Sequence, residues 1–378
     1  MKSIFILIWC CTLCLSTTLF SQVKNNKAEI KKANDILYED PNASIKIAFS
    51  LLKKEKNTDE IANLYMIISN AYIAKRDIDS SLFFIMKTTN LINSDALIKT
   101  KIRILNSVAV QYQQMQLYAK SLETLDKAKE FYVQLPPSDK ARNYNFQFNN
   151  LIRGMIYRSQ SNPEMALEKF SQAVNYFKKL PKKKGNSSNI SVILYNMGYC
   201  YMELNQNAKA KYYFMESLKY GQLAGAKSIE AYALKGLAEN LYVTGHYSES
   251  LDLLHKADSL AKSVGDLVLN EGIYKLLGSN NLAINNWEKY QFYSDLVLNL
   301  KQEKEKKDQK SLNRYMNLQV SETQKKMNSA STKFDIYQLL LVGISAISFF
   351  FLVRNFLSNK KNNKLLKNKI EKLTNAHQ

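Results

Sequence analysis

The chain has 378 residues, with only 11 Gly and 5 Pro against 23 Tyr and 17 Phe. So few helix breakers, and no alternating apolar runs closed by turn dipeptides, exclude a β-sandwich or barrel and predict an all-α protein. The net charge of +20 is uneven: residues 22–298 carry +9, residues 299–335 carry +4 and the last 25 carry +6. The dense positive charge is therefore a short tail, better matched to anionic lipid headgroups than to a nucleic acid, and no direct nucleic-acid binding is expected.

The chain opens MKSIFILIWCCTLCLSTTLFSQVKNNK. Lys2 supplies a positive start, Ile4 to Leu15 an apolar stretch, and a polar run to Ser21 follows, which is the pattern of a secretory signal peptide over 1–21. An uncleaved anchor fits the same residues, because 3–23 carries no charge. Cys10, Cys11 and Cys14 lie inside this stretch. Its removal leaves Cys200 alone, so neither an intrachain disulfide nor a paired-cysteine zinc site is expected.

Residues 22–298 show internal self-similarity, which points to stacked repeats. The clearest copy is LYNMGYCY from Leu194 to Tyr201, followed by Ala210, Phe214, Ser217 and Leu218. A large residue, a Leu-Gly-like pair, a Tyr, then Ala and an aromatic on a second helix is spacing that resembles the tetratricopeptide repeat. Further copies run through Leu234, Ala238, Leu241, Gly245, Ser250 and Leu254, and through Leu105, Ala109, Tyr112, Ser121 and Leu125. Others run through Gly154, Tyr157, Ala166, Phe170 and Ala173, and through Tyr65, Ser69, Tyr72, Ser81 and Ile85. Tyr274, Gly278, Ala283 and Trp287 suggest a copy at the end, and Ile36, Ile45 and Phe49 one at the start.

On this reading the small residue where two helices cross falls at 81, 121, 166, 210, 250 and 283, with gaps of 40, 45, 44, 40 and 33. The standard repeat is about 34 residues, so longer helices or loops must absorb the excess. Leu135–Asp139 and Leu180–Ser188 are the expected loops. One hairpin cannot bury its own apolar face, so about six to seven of them would share a continuous core.

Residues 299–335 are polar and free of breakers. Leu312, Met316 and Val320 at four-residue steps predict a long helix, able to pair with a second copy as a homodimer; a solvated linker is the alternative. Then DIYQLLLVGISAISFFFLVR places 18 uncharged residues between Asp335 and Arg354. As a helix they would rise about 27 Å, close to the ~30 Å hydrocarbon core, so 336–353 is expected to be a transmembrane helix. Arg354, Lys360, Lys361, Lys364, Lys367 and Lys369 follow it closely, against Lys325, Lys326 and Lys333 before it. The positive-inside rule puts the tail, 354–378, in the cytoplasm and the repeats outside. Leu366, Ile370 and Leu373 at helical spacing suit an amphipathic helix lying on the membrane.

Motifs for catalysis are missing: there is no phosphate-binding glycine loop, no His-Glu-x-x-His and no Gly-x-Ser-x-Gly. His246, His255 and His377 are scattered, so no metal or cofactor is expected and the chain does not read as an enzyme. What remains is binding. The resemblance to tetratricopeptide solenoids implies that the first helix of each pair lines a concave groove for an extended peptide or a partner helix. Counting from the Gly/Ala position gives Met66, Asn70 and Ile73; Asn106 and Gln113; Met155 and Arg158; Tyr195, Tyr199 and Met202; Lys235, Glu239 and Tyr242. Asn and Arg can hold a peptide backbone or carboxylate, while Tyr and Met offer adaptable apolar contact.

The order of segments resembles that of bacterial membrane-anchored regulators built from a signal peptide, periplasmic tetratricopeptide repeats, one span and a cytoplasmic AraC-type helix-turn-helix. Residues 104–130, 196–204, 235–254 and 264–277 carry the likeness. The resemblance implies a periplasmic sensor in the bacterial inner membrane that feeds a signal to a transcriptional output. The sequence departs from that pattern by stopping where the DNA-binding domain should begin. Two other expectations are a shortened regulator that has lost this domain and a passive scaffold of the envelope.

Overall fold

The computed structural model describes residues 26–374 apart from 38, 76, 94–96, 182 and 263, and these form helices and short connections with no strand. The expected leader, 1–21, lies outside the described residues. The helices are α1 (26–35), α2 (Pro41–Leu52), α3 (Thr58–Ala74), α4 (Ile78–Thr89), α5 (Ile98–Gln114), α6 (Tyr118–Tyr132) and α7 (Lys140–Ser159). They continue as α8 (Pro163–Lys179), α9 (Lys184–Glu203), α10 (Asn207–Ala224), α11 (Lys227–Val243), α12 (Tyr247–Ala261), α13 (Leu267–Ala283) and α14 (Trp287–Thr374). Contacts divide the chain into two units, the first ending at Asn313 and the second beginning at Arg314.

In the first unit each odd-numbered helix pairs with the even-numbered helix after it, and each odd-numbered helix from α3 to α13 also touches the next odd-numbered one. The odd helices thus form an inner wall. The turns inside the hairpins share one geometry. Gln116, Ser161, Asn205, Gly245 and Asn285 are left-handed, with φ of 61, 54, 57, 83 and 60°. The next N–H donates back across the helix end each time, from Leu117 to Tyr112, Asn162 to Tyr157, Gln206 to Tyr201, His246 to Leu241 and Asn286 to Asn281. This closes the orphan carbonyls of the first helix and reverses the chain.

Five residues after each left-handed residue comes the helix-crossing position: Ser121, Ala166, Ala210, Ser250 and Tyr290. The first four are fully buried. Where the residue is serine, its hydroxyl donates to a carbonyl of the facing helix: Ser44 to Ala33, Ser81 to Ser69, Ser121 to Ala109 and Ser250 to Ala238, at 2.6 to 2.8 Å. A buried hydroxyl would otherwise lose its hydration without recompense. Two sequence expectations change here. Ala283 is the exposed last residue of α13, and the crossing position in that hairpin is Tyr290, a half-buried residue that lies against Gly278 of the facing helix. The first hairpin's small residue is Ser44, between Ile36 and Ile45 of the expected pattern.

The excess repeat length also resolves differently. The expected loop 180–188 is mostly helix, since α9 already begins at Lys184. α7 and α9 have 20 residues each, whereas α3, α5, α11 and α13 have 17. In those two hairpins part of the extra length is an added helical turn on the inner wall.

Core packing follows from glycine on a first helix facing phenylalanine on a second. Phe170 presses on Gly154, and Phe214 sits between Gly198 of its own hairpin and Gly236 of the next. Both rings are fully buried, and each such burial contributes roughly 1.5–3 kcal/mol. Cys200 is free and buried beside them, and burial pushes its thiol up to about 12.

The first unit takes in the beginning of α14. Lys304 pairs with Glu271 of α13 at 3.0 Å, Lys310 with the buried Asp79 of α4 at 3.1 Å, and Ser311 is buried. In the second unit, a stretch within Thr323–Asn368 reaches a mean hydropathy of 2.2 with none of it buried. It is long and apolar enough to cross a membrane. Leu312, Met316 and Val320 are exposed on α14. The stripe expected at Leu366, Ile370 and Leu373 falls partly outside the described side chains.

Candidate functional site

The inner wall encloses a channel with three successive stretches of about 450, 400 and 580 Å³. Ile73, Val110, Phe148, Ser188 and Asn189 border both the first and the second, and Arg158, Tyr195, Tyr232 and Val268 both the second and the third. Shared walls make these one continuous groove along α3, α5, α7, α9, α11 and α13. Volumes of this order suit extended chains and small ligands.

The first stretch is rich in amides. Met66, Asn70, Ile73 and Asn106 face it, as the sequence predicts, together with Asn34, Asn63, Asn145 and Asn189. Asn106 Nδ2 donates to Asn145 Oδ1 at 2.9 Å, and the Asn106 Oδ1 is sealed from solvent with no hydrogen-bond partner. Asn189 donates to Tyr144 Oη at 3.3 Å. Burial raises the Tyr144 phenol above its ordinary range, so this hydroxyl stays a neutral donor and acceptor. Arg103 donates to Asn63, and burial lowers its pKa against the pull of Glu60 and Asp59.

The middle stretch is apolar between polar ends. Gln113, Met155, Arg158 and Tyr195 line it beside Val110, Phe148, Leu151 and Val192. The third stretch is aromatic and charged, with Tyr195, Tyr199, Tyr242, Lys235 and Glu239 on its wall. Tyr195 meets Tyr199 edge-on at 4.9 Å and Tyr232 at 5.5 Å between ring centroids. Tyr199 Oη donates to Glu239 at 2.6 Å, and Lys235 Nζ donates to Tyr199 Oη at 2.9 Å and to Glu239 at 3.3 Å. Burial drives the Tyr199 phenol well above its usual range, reinforced by Tyr195 and the Glu239 carboxylate. Burial alone would lower Lys235, but Tyr195, Glu239 and the hydrogen bond to Glu239 more than offset it, and the ammonium is held above its usual value. Lys304 of α14 closes this end.

The structure thus brings the residues expected to face a groove into one channel, except Met202, which packs against the Phe214 cluster. Counting one turn either side of the glycine position misses the longer faces of α7 and α9. Tyr144, Phe148, Ser188 and Asn189 lie there, and continuing the helical period by two more turns would have found them. Glu271, Lys275 and Lys304 belong to α13 and α14; the same count from Gly278 reaches Lys275 and, one turn further, Glu271, while nothing in the repeat pattern marks Lys304.

No family model matches the sequence, and no curated protein matches it. Solved structures do. NprR in complex with its cognate peptide NprX aligns over 81% of this chain and 92% of that chain, at 14% identity and a TM-score of 0.57. The fold is a tetratricopeptide-type solenoid. A Rap protein complexed with competence and sporulation factor covers 75% of this chain and 99% of its own, at 11% identity and a TM-score of 0.48. A signal-transduction ATPase with a tetratricopeptide repeat sensor, from Pyrococcus horikoshii, covers 73% of this chain and 46% of its own, at 16% identity and 0.48. These likenesses concern the fold alone.

Proposed function

We propose that this chain is a membrane-anchored binding protein, not an enzyme, whose solenoid takes up an extended peptide or protein segment on the periplasmic side and passes its occupancy to a cytoplasmic partner. The channel carries this reading. Its walls alternate amide, apolar and aromatic-cationic surface, which is what an extended chain needs: donors and acceptors for its backbone, and separate places for its side chains. NprR, a chain of the same fold, was solved with a peptide. The exposed apolar stretch within Thr323–Asn368 and the basic residues after it support a single span with the C-terminus inside.

Two measurements test the two halves of the proposal. A photo-crosslinking amino acid placed in cells at Asn70 or Tyr195, in the channel, should give adducts absent from Tyr212 or Met215, which are exposed on α10. Equal labelling at all four removes the channel as the binding site. Topology reporters fused after Lys333 and after Gln378 should report opposite compartments, and the same compartment for both defeats the membrane arrangement.

A further inference from the structure

The first unit curves back on itself, so that helices far apart in the chain meet around the channel. Ile73 and Ala74, at the end of α3, line the second stretch together with Asp266 and Val268 at the head of α13. The beginning of α14 joins the same two places. Its Lys304 pairs with Glu271 of α13, and Lys310 pairs with Asp79 on the first turn of α4. From 304 to 310 the helix rises only about 9 Å, so the second hairpin and the last are held together by one short crossing. With the hairpins between them stacked in series, this bridge makes the wall a closed ring.

A second contact also crosses the ring, from Glu39, between α1 and α2, to Lys184 of α9 at 3.1 Å. The two differ in strength. Both side chains of the Glu39–Lys184 pair are about half exposed, where water and salt leave an ion pair little net stabilisation. The Asp79 side chain is only 6% exposed, and Ser311, the residue after Lys310, is buried too. A carboxylate so little hydrated loses more when its cation leaves. The bridge is nevertheless releasable. Residues 301–311 read KQEKEKKDQKS, without one apolar side chain, and 305–310 are all exposed. Charge pairing holds this segment to the ring, with no hydrophobic seam to keep it there.

Resting on the channel reading above, we infer that residues 304–311 of α14 are a clasp closing the ring between the second and last hairpins, and that separation of Lys310 from Asp79 opens the channel sideways to a segment inside a protein chain. A peptide with a free end can thread a closed ring. A segment flanked by folded protein cannot, and enters only when the ring parts. The clasp belongs to the same unbroken helix that carries the apolar stretch within Thr323–Asn368, so opening the ring and displacing the start of that helix are one event.

The test uses the full chain with two readouts. In detergent micelles, spin labels on genetically encoded ketone side chains at Lys87 of α4 and Lys256 of α12, both exposed, report the width of the ring by pulsed electron paramagnetic resonance. In cells, the photo-crosslinker at Tyr195 reports entry of proteins into the channel. Lys310→Met should raise both the long-distance fraction and the Tyr195 adducts about fivefold. Asp79→Asn, which leaves no unpaired buried charge, should act in the same direction, and Lys310→Arg should behave as the unaltered chain, which separates loss of the pair from loss of folding. Distances that neither Lys310→Met nor Asp79→Asn changes overturn the clasp and leave the channel reading standing. A ring that opens without more Tyr195 adducts overturns the clasp as an entry gate. Adducts at Tyr195 no more abundant than at Tyr212 in every variant sink the channel reading, and the entry gate with it.

Discussion

Tyr199 on α9 donates its hydroxyl to Glu239 on α11 across the boundary between two hairpins, at 2.6 Å, while Lys235 donates to both. One phenol thus ties together two first helices in the channel wall. It also makes stability sensitive to alkali. Tyr199 has an ordinary value of 10.0 and Lys235 of 10.5, and both are raised in the folded chain, Tyr199 by burial first and Lys235 by Tyr195 and Glu239 against burial. The folded state therefore holds these protons more tightly than the unfolded chain, so unfolding releases protons and stability falls as pH rises past 10. Tyr199→Phe should lower stability by about 1 kcal/mol at neutral pH and flatten the decline above it. Chemical denaturation of both proteins across about pH 9 to 11 measures the two slopes; equal slopes would discard the linkage.

Phe214 fills the gap between two glycines. A Cβ at Gly198 would stand 2.6 Å from its ring, and one at Gly236 2.5 Å. Gly236→Ala should therefore destabilise the solenoid by roughly 1–3 kcal/mol through overpacking. Adding Phe214→Leu should recover part of the loss relative to the sum of the two single changes, because the narrower side chain leaves room for the methyl group. Melting curves of the four proteins give the coupling, and strict additivity would show that the contact does not govern this position.

Ser161 occupies a left-handed turn with φ of 54° and is exposed, whereas the equivalent turn at Gly245 has φ of 83°. A serine there pays for its Cβ, and a glycine does not. Ser161→Gly should raise stability by about 0.5–1 kcal/mol, and Gly245→Ala should lower it by about 1 kcal/mol. Thermal denaturation checks both signs. A loss from the serine change would mean that unfolded-chain entropy outweighs the strain.

The first unit runs through Asn313. Lys304–Glu271, Lys310–Asp79 and the buried Ser311 all lie beyond Leu298, where the aromatic-rich sequence ends. A fragment ending at Asn313 should melt higher than one ending at Leu298, by roughly 2–4 °C for each 1 kcal/mol of partly buried ion pairing and packing. Lys310→Ala within the longer fragment should remove part of the difference. Identical melting temperatures would show that residues 299–313 of α14 add nothing to the solenoid.

The helical class, the stacked hairpins and the apolar stretch near the end were all legible in the residue pattern, because each depends on contacts a few positions apart. Glycine or alanine facing an aromatic, and the 3.6-residue period, are local signals, and Gly154, Ala166, Phe170, Gly198, Ala210 and Phe214 follow them. So do the inward positions counted from the small residue of each first helix, as Asn70 after Ser69, Tyr195 one turn before Tyr199, and Glu239 after Ala238 show.

Register and enclosure were decided by the tertiary structure. Whether Ala283 or Tyr290 sits at a helix crossing depends on a left-handed turn at Asn285, which spacing alone does not reveal. Residues 184–188 look like a loop by composition but are helical, because the added turn is held by the hairpins on either side. Above all, the sequence marks Arg158 only as a polar residue on an inner face. That its guanidinium is stacked on Tyr199, with no carboxylate among the described residues within ion-pair distance, follows from how α7, α9 and α11 converge, since burial and charge pairing belong to groups brought together from distant parts of the chain.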